Sequence, residues 1–283
     1  MRGTLAALLL VAAVVTAVIV ACRDFDQFRD AATDAGVIEI TGPCAPDCPT
    51  VDMVTVPAGS YTMGCNDLVD IDCEEHERPG HTVTVKEFMI DRTELTVADY
   101  RRCVAAGECL QPDPNDGCTY EAPDHDRFPI NCVTWQHADR YCRWVGKRLP
   151  TEAEWEKAAR GVDGAKYPWG NVPEPSCDYA VMFDESACGV TDTLPVGNRP
   201  KGMSPYGLYD TAGNVWEWVA DWYAADYYGS GPAADPKGPA VGTNRVLRGG
   251  SWGMSYENFL RASARWGKEP AADFGTIGFR CVR

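Results

Sequence analysis

The sequence predicts an α+β domain with little regular secondary structure, held together by disulfides. Three observations carry that expectation. Glycine (27) and proline (20) make up about a sixth of the 283 residues, which favours turns over long helices. Thirteen cysteines follow an export-type amino terminus, and an exported chain so rich in cysteine is expected to form disulfides. Only a few short segments carry a helical or strand period. With 45% hydrophobic and 24% charged residues, the composition is globular, and a chain of this size can bury a substantial core. Lys+Arg 26 against Asp+Glu 41 gives a net charge of −15. That balance argues against nucleic acid as a partner, because phosphate binding needs a cationic face.

At the amino terminus, Met1-Arg2-Gly3 precedes an apolar run from Leu5 to Ala21 in which only Thr16 is polar. The run is shorter than the ~20 residues of a spanning helix, so it reads as a signal peptide. It ends Ile19-Val20-Ala21-Cys22, which resembles the lipobox of bacterial lipoproteins. That resemblance implies lipidation of Cys22 and attachment to a membrane, several acyl chains being a durable anchor; an uncleaved anchor or an ordinary secretory signal is the alternative. Arg23, not Asp, follows, and by analogy with lipoprotein sorting the outer membrane is favoured over the inner. The expected organisation is a signal peptide over 1–21, an acidic lipid-anchored tether over 22–50 (Asp24, Asp26, Asp30, Asp34), and one globular domain over 51–283. Setting Cys22 aside leaves an even twelve cysteines. Cys44 and Cys48 read as a tight disulfide, since no second half of a zinc site follows; Cys65–Cys73 and Cys177–Cys188 are plausible pairs on spacing.

Within the domain, Val54–Val56 and Ser60–Met63 read as strands around Pro57-Ala58-Gly59, and Thr82–Val85 alternates with period two. Thr96 opens a helix, with an acid three residues on. A second helix spans Thr134 to Val145, where Ala138, Tyr141, Cys142 and Val145 form one stripe. The third begins at the capping box Thr151-Glu152-Ala153-Glu154, turns Trp155, Ala158 and Ala159 inward, and closes at Gly161. Beyond it the chain reads mostly as loops, with a late strand at Val246–Arg248. The acidic run Asp70 to Glu77 reads as a solvated loop, Asp124-His125-Asp126 as a surface turn, and His81 as structural. No phosphate-binding loop and no G-x-S-x-G elbow is present.

Three longer motifs resemble the formylglycine-generating enzyme, or sulfatase-modifying factor, family. They are Gly146-Lys147-Arg148-Leu149-Pro150-Thr151-Glu152-Ala153-Glu154-Trp155-Glu156, then Tyr206 to Asp210 with Gly213-Asn214-Val215-Trp216-Glu217-Trp218, then Arg248-Gly249-Gly250-Ser251-Trp252 with Gly278-Phe279-Arg280-Cys281. The resemblance runs from about Val51 to Arg283 and implies a single domain with a fold related to C-type lectins. It implies a disulfide between Cys142 and Cys281, worth roughly 4–5 kcal/mol on chain entropy. It also implies a calcium site at Asp210, Gly213, Val215 and Glu217, hard oxygens suited to that ion. The family's second calcium site expects an asparagine where Val181 stands.

The family's oxidases hold Cu(I) on two cysteines that follow the Gly-Gly-Ser motif, chemistry that needs soft thiolates. Here Ser251 to Arg261 contains no cysteine, and the matching positions fall near Met254 and near Asn258 or Phe259. Copper is therefore not expected. A lone Met254 thioether does not replace two thiolates. The expected role is non-oxidative: binding a peptide, protein or glycan in a cleft lined by Ser251, Trp252, Met254, Tyr256, Asn258 and Arg265. The alternative is a metal-dependent oxidase of the same family, modifying cysteine or another residue of an exported protein.

Overall fold

The computed structural model describes residues 52–114, 117–183, 190–253 and 257–283. The signal peptide, Cys22, the tether, Cys44, Cys48, Cys188, Met254 and Tyr256 lie outside the described residues.

Two antiparallel pairs open the domain. Strand β1 (Met53–Val56) pairs with β4 (Phe88–Asp91), and β2 (Gly59–Met63) pairs with β3 (His81–Val85). In the second pair Tyr61 faces Val83, and Tyr61, Met63, Val83 and Val85 all turn inward, the period-two burial of a strand with one wet face. Three helices follow: α1 (Val97–Ala105), α2 (Trp135–Trp144) and α3 (Glu152–Arg160). Each starts where a threonine, Thr96, Thr134 or Thr151, accepts a hydrogen bond from the backbone N–H three residues on, satisfying a donor the helix itself leaves unpaired. At Thr151 the Glu154 side chain reciprocates.

A four-stranded sheet completes the domain: β7 (Arg265–Lys268), β6 (Arg245–Arg248), β5 (Trp216–Trp222) and β8 (Ile277–Gly278), in that spatial order. The β5–β8 pair is parallel and the others are antiparallel. The main core lies between this sheet and helices α1 and α2, where Tyr100, Tyr141, Trp218 and Phe279 meet. A second core packs the β1–β4 and β2–β3 pairs against Ala153 and Ala158 of α3. The last residues return beneath both cores: Val282 bridges to Ile90 and to Arg148.

Four disulfides join described residues: Cys65–Cys73, Cys103–Cys109, Cys118–Cys132 and Cys142–Cys281. Cys177 is disulfide-bonded as well. The Cys142–Cys281 bridge ties α2 to the carboxyl end across 139 residues of sequence.

Among the described residues beyond Gly161 the chain is mostly loop, as expected, and seven-residue β5 forms the middle of the four-stranded sheet. Two expectations need correction. The inner face of α3 carries not only Trp155, Ala158 and Ala159 but also buried Glu152, Glu156, Lys157 and Arg160. In the acidic run, Asp70 and Glu77 are buried, not solvated.

Candidate functional site

Five fully buried arginines explain those buried acids. Glu152 and Glu156 lie one turn apart on α3. The Arg265 Nε and Nη2 atoms donate to the two Glu152 oxygens at 2.7 and 2.9 Å. Arg248 Nη2 donates to Glu156 at 2.6 Å, and Arg160 to the other Glu156 oxygen at 2.9 Å. Arg261 forks onto Glu77 at 2.5 and 2.6 Å and reaches Asp70 at 3.0 Å. Arg280 forks onto Glu217 at 2.7 Å on both arms, with the Trp155 indole N–H on the same carboxylate at 2.8 Å. A planar guanidinium matches a carboxylate in two parallel hydrogen bonds, so the forked pairs of Arg261, Arg265 and Arg280 fix both position and angle.

A cavity of about 400 Å³ opens over this network. Glu74, His76, Asn258, Phe259 and Trp266 address it, with Glu77, Arg261 and Arg265 among its lining. The arginines are committed to carboxylates, so the polar groups available to a ligand are Glu74, His76 and Asn258. A His76 ring nitrogen lies 3.1 Å from the Arg265 carbonyl. A smaller cavity of about 220 Å³ shares Phe259 and Trp266 with the first.

The expected cleft residues are only partly brought together. Asn258 is exposed on the larger cavity. Arg265 borders it too, but its guanidinium is held on Glu152 and is not offered to a ligand. Ser251 is wholly buried, and its hydroxyl has no partner among the described residues. Trp252 is half-buried and donates to the Gly275 carbonyl at 3.2 Å. Neither Ser251 nor Trp252 lines the two cavities. The turn at Gly249 and Gly250, with φ of +93° and +74°, tucks Ser251 inward; a Cβ at Gly250 would lie 2.7 Å from the Phe259 carbonyl oxygen. Sequence reasoning did not place His76 or Trp266 in the cleft, and named Phe259 only as a position matching one of the family's copper cysteines. The available signal was position: Phe259 stands in the segment after Gly-Gly-Ser, and Trp266 adjoins Arg265.

Asp210, Gly213, Val215 and Glu217, the positions named for calcium, lie on a bend that leads into β5. Asp210, Gly213 and Asn214 take positive φ in a tight bend, and a Cβ at Gly213 would lie 2.3 Å from the Val181 carbonyl oxygen. Asp210 accepts from the Gly197 N–H at 2.5 Å. Glu94, which sequence reasoning missed, accepts from the Asn214 amide at 2.6 Å and the Val215 N–H at 3.0 Å. Burial pushes the Asp210 carboxyl up to about 6, with the Glu217 charge adding to it against the Gly197 N–H and Arg280. Burial, then the charges of Asp210 and Glu217, lift Glu94 well above the ordinary range. Buried Glu94 and Asp210 thus both feel the charge of Glu217, opposed by Arg280 and, at Asp210, also by Arg199. Glu217 has both oxygens engaged by Arg280 and Trp155.

The profile described as the sulfatase-modifying factor enzyme 1-like domain matches residues 42–283. The chain belongs to this family. It is 34% identical over 292 residues to a formylglycine-generating enzyme of Streptomyces coelicolor, covering 85% of this chain and 92% of that relative. It is 33% identical over 283 residues to inactive Cα-formylglycine-generating enzyme 2 of Bos taurus, covering 82% and 88%. The fold is similar to the structure of PvdO from Pseudomonas aeruginosa: TM-score 0.71, 31% identity, 89% of this chain and 99% of that one. The α+β class therefore belongs to the family fold.

The network sets an acid limit on stability. Burial alone would raise the Glu77 carboxyl, but the hydrogen bonds and charge of Arg261 outweigh it and hold Glu77 below its ordinary 4.5. Arg265 and Arg248 do the same for Glu152. Both groups bind protons more readily in the unfolded chain, so their contribution is present above about pH 4.5 and is lost as pH falls below it. Thermal melts from pH 7 to pH 3 are expected to show Tm falling steeply below about pH 4.5; a flat profile would contradict the assignment.

Proposed function

We propose that the chain is a lipid-anchored envelope protein whose domain binds a peptide, protein or glycan without oxidising it. One observation carries the proposal: the segment where the family's oxidases place their copper cysteines, Ser251 to Arg261, has none. Cys103 pairs with Cys109 and Cys118 with Cys132, so none of these four offers a free thiol as a substitute. Within that segment, Cu(I) binding by two thiolates and tethering of a substrate cysteine by sulfur exchange both lack their atoms. What remains is a preformed cavity with aromatic walls and a few polar groups, the usual make-up of a recognition site. That a relative of 33% identity is named as inactive supports the same reading.

Calcium is proposed as a structural cofactor of the bend at Asp210. Asp210 and the carbonyls of Gly213 and Val215 would hold it, and Glu217 and Glu94 would supply charge. The ion would neutralise buried carboxylates and fix the bend beside β5. The proposed anchor at Cys22 places the domain at a membrane surface, and the outer membrane is the proposed location. Cys22→Ala is expected to release the protein into the soluble fraction; unchanged membrane fractionation would remove the anchor from the account.

Both metals can be tested on one preparation. Calcium at 100 times its Kd is expected to stabilise by about 2.7 kcal/mol, a rise in Tm of roughly 5–10 °C for a domain of this size, and Asp210→Ala is expected to abolish it. Copper with oxygen and a cysteine peptide is expected to yield no formylglycine. Stoichiometric copper with oxygen-dependent turnover would instead establish the oxidase alternative.

A further inference from the structure

The smaller cavity differs in chemistry from its neighbour. Its volume of about 220 Å³ lies below the roughly 300–1,000 Å³ of sites that enclose a whole small ligand, and suits one apolar side chain. Trp216, Leu247 and Ile277 come from the main core. Trp266 and Phe274 form its lip, each about half exposed (47% and 51%), and Trp266 meets Phe259 edge-on with centroids 5.7 Å apart.

Among the described residues no carboxylate lines this cavity, and Lys268 is the only charged one in its lining, in a chain whose net charge is −15. Trp266 and Lys268 are two residues apart on β7, so both project to the same face of the sheet. The Lys268 ammonium sits 4.7 Å from the centre of the Phe274 ring. Its ion-pair partner is Glu269 at 3.8 Å, a side chain 71% exposed. A pair so exposed contributes little, and the ammonium can exchange it for an acid brought in by a ligand.

We infer that this cavity anchors an aromatic or branched apolar group that carries a carboxylate, the apolar part against Trp216, Phe259 and Trp266 and the carboxylate on Lys268 Nζ. The inference rests on the binding reading above and names the ligand class for it. Two sources offer that chemistry: the free carboxyl-terminal residue of a polypeptide, whose preceding residues would extend into the larger cavity across Trp266, or a small free aryl or alkyl acid.

The test titrates N-acetyl-L-phenylalanine and N-acetyl-L-phenylalaninamide into the full-length protein, read by ligand-observed NMR. The acid is expected to bind about fivefold more tightly than the amide, the upper range for a partly exposed ion pair. Lys268→Met should erase that preference while leaving the amide's affinity in place. Trp266→Ala, at a half-exposed position, should weaken both probes by about tenfold or more. A hexapeptide ending in free phenylalanine that binds more tightly than the single residue assigns the anchor to a chain end; equal binding assigns it to a small acid. Equal affinity for acid and amide, a preference that survives Lys268→Met, or no saturable binding of either probe would overturn the inference. Turnover of a cysteine peptide alongside an intact acid preference would overturn the non-oxidative reading and leave the anchor standing.

Discussion

The domain depends on guanidinium groups buried against carboxylates. Arg248, Arg261, Arg265 and Arg280 all come from the last forty residues, and each reaches an acid far earlier in the chain: Glu156, Glu77, Glu152 and Glu217. Removing charge from water is expensive, and such a pair is tolerated only where geometry is good and the remaining N–H groups are satisfied. Here backbone carbonyls do much of that work: Arg248 also donates to Ala262 and Ser263, and Arg280 to Asp91 and Tyr209. A chain with short strands and three helices of nine or ten residues has few repeating hydrogen bonds to set its shape. The ion pairs supply what longer elements would otherwise supply, a fixed register between distant segments.

This explains why the family motifs read as they do. Thr151 to Glu156 is less a reactive sequence than a capped helix start that presents two acids, Glu152 and Glu156, to two arginines of the carboxyl-terminal segment. Arg248 of the Arg-Gly-Gly-Ser motif is one of those arginines, and Arg280 of Gly-Phe-Arg-Cys grips Glu217 of the Trp-Glu-Trp motif. Most of the recognisable residues thus build the scaffold. The stretch after Ser251 holds no cysteine as far as Arg261, which itself belongs to the network. One scaffold of this kind can carry different sites, because fold does not fix function.

Local signals made the helices legible: Thr96, Thr134 and Thr151 each mark a start, and the caps are there in the structure. The early strands followed from alternation at Thr82–Val85. Strand β5 escaped because Trp216 to Val219 is buried on both faces, which leaves no period of two to detect. Strand β8 escaped because it is two residues long. The acids of residues 70–77 looked solvated because their counter-charge, Arg261, lies more than 180 residues away. For the same reason Arg265 looked like a cleft residue: nothing local announces a partner 113 residues earlier. The bend at Asp210 was legible through family motifs, whereas Glu94 joins it only by the fold. Charge pairing at long range is the property that one-dimensional reading handles least well.

A double-mutant cycle on Arg261 and Glu77 tests the central claim most directly. With Arg261→Met and Glu77→Leu measured singly and together by denaturant unfolding, each single change should cost about 3–5 kcal/mol, because it strands a buried charge. The double variant should cost much less than the sum, giving a coupling of at least about 2 kcal/mol. Additive losses, or single variants as stable as the parent, would show that the buried pairs do not hold the fold.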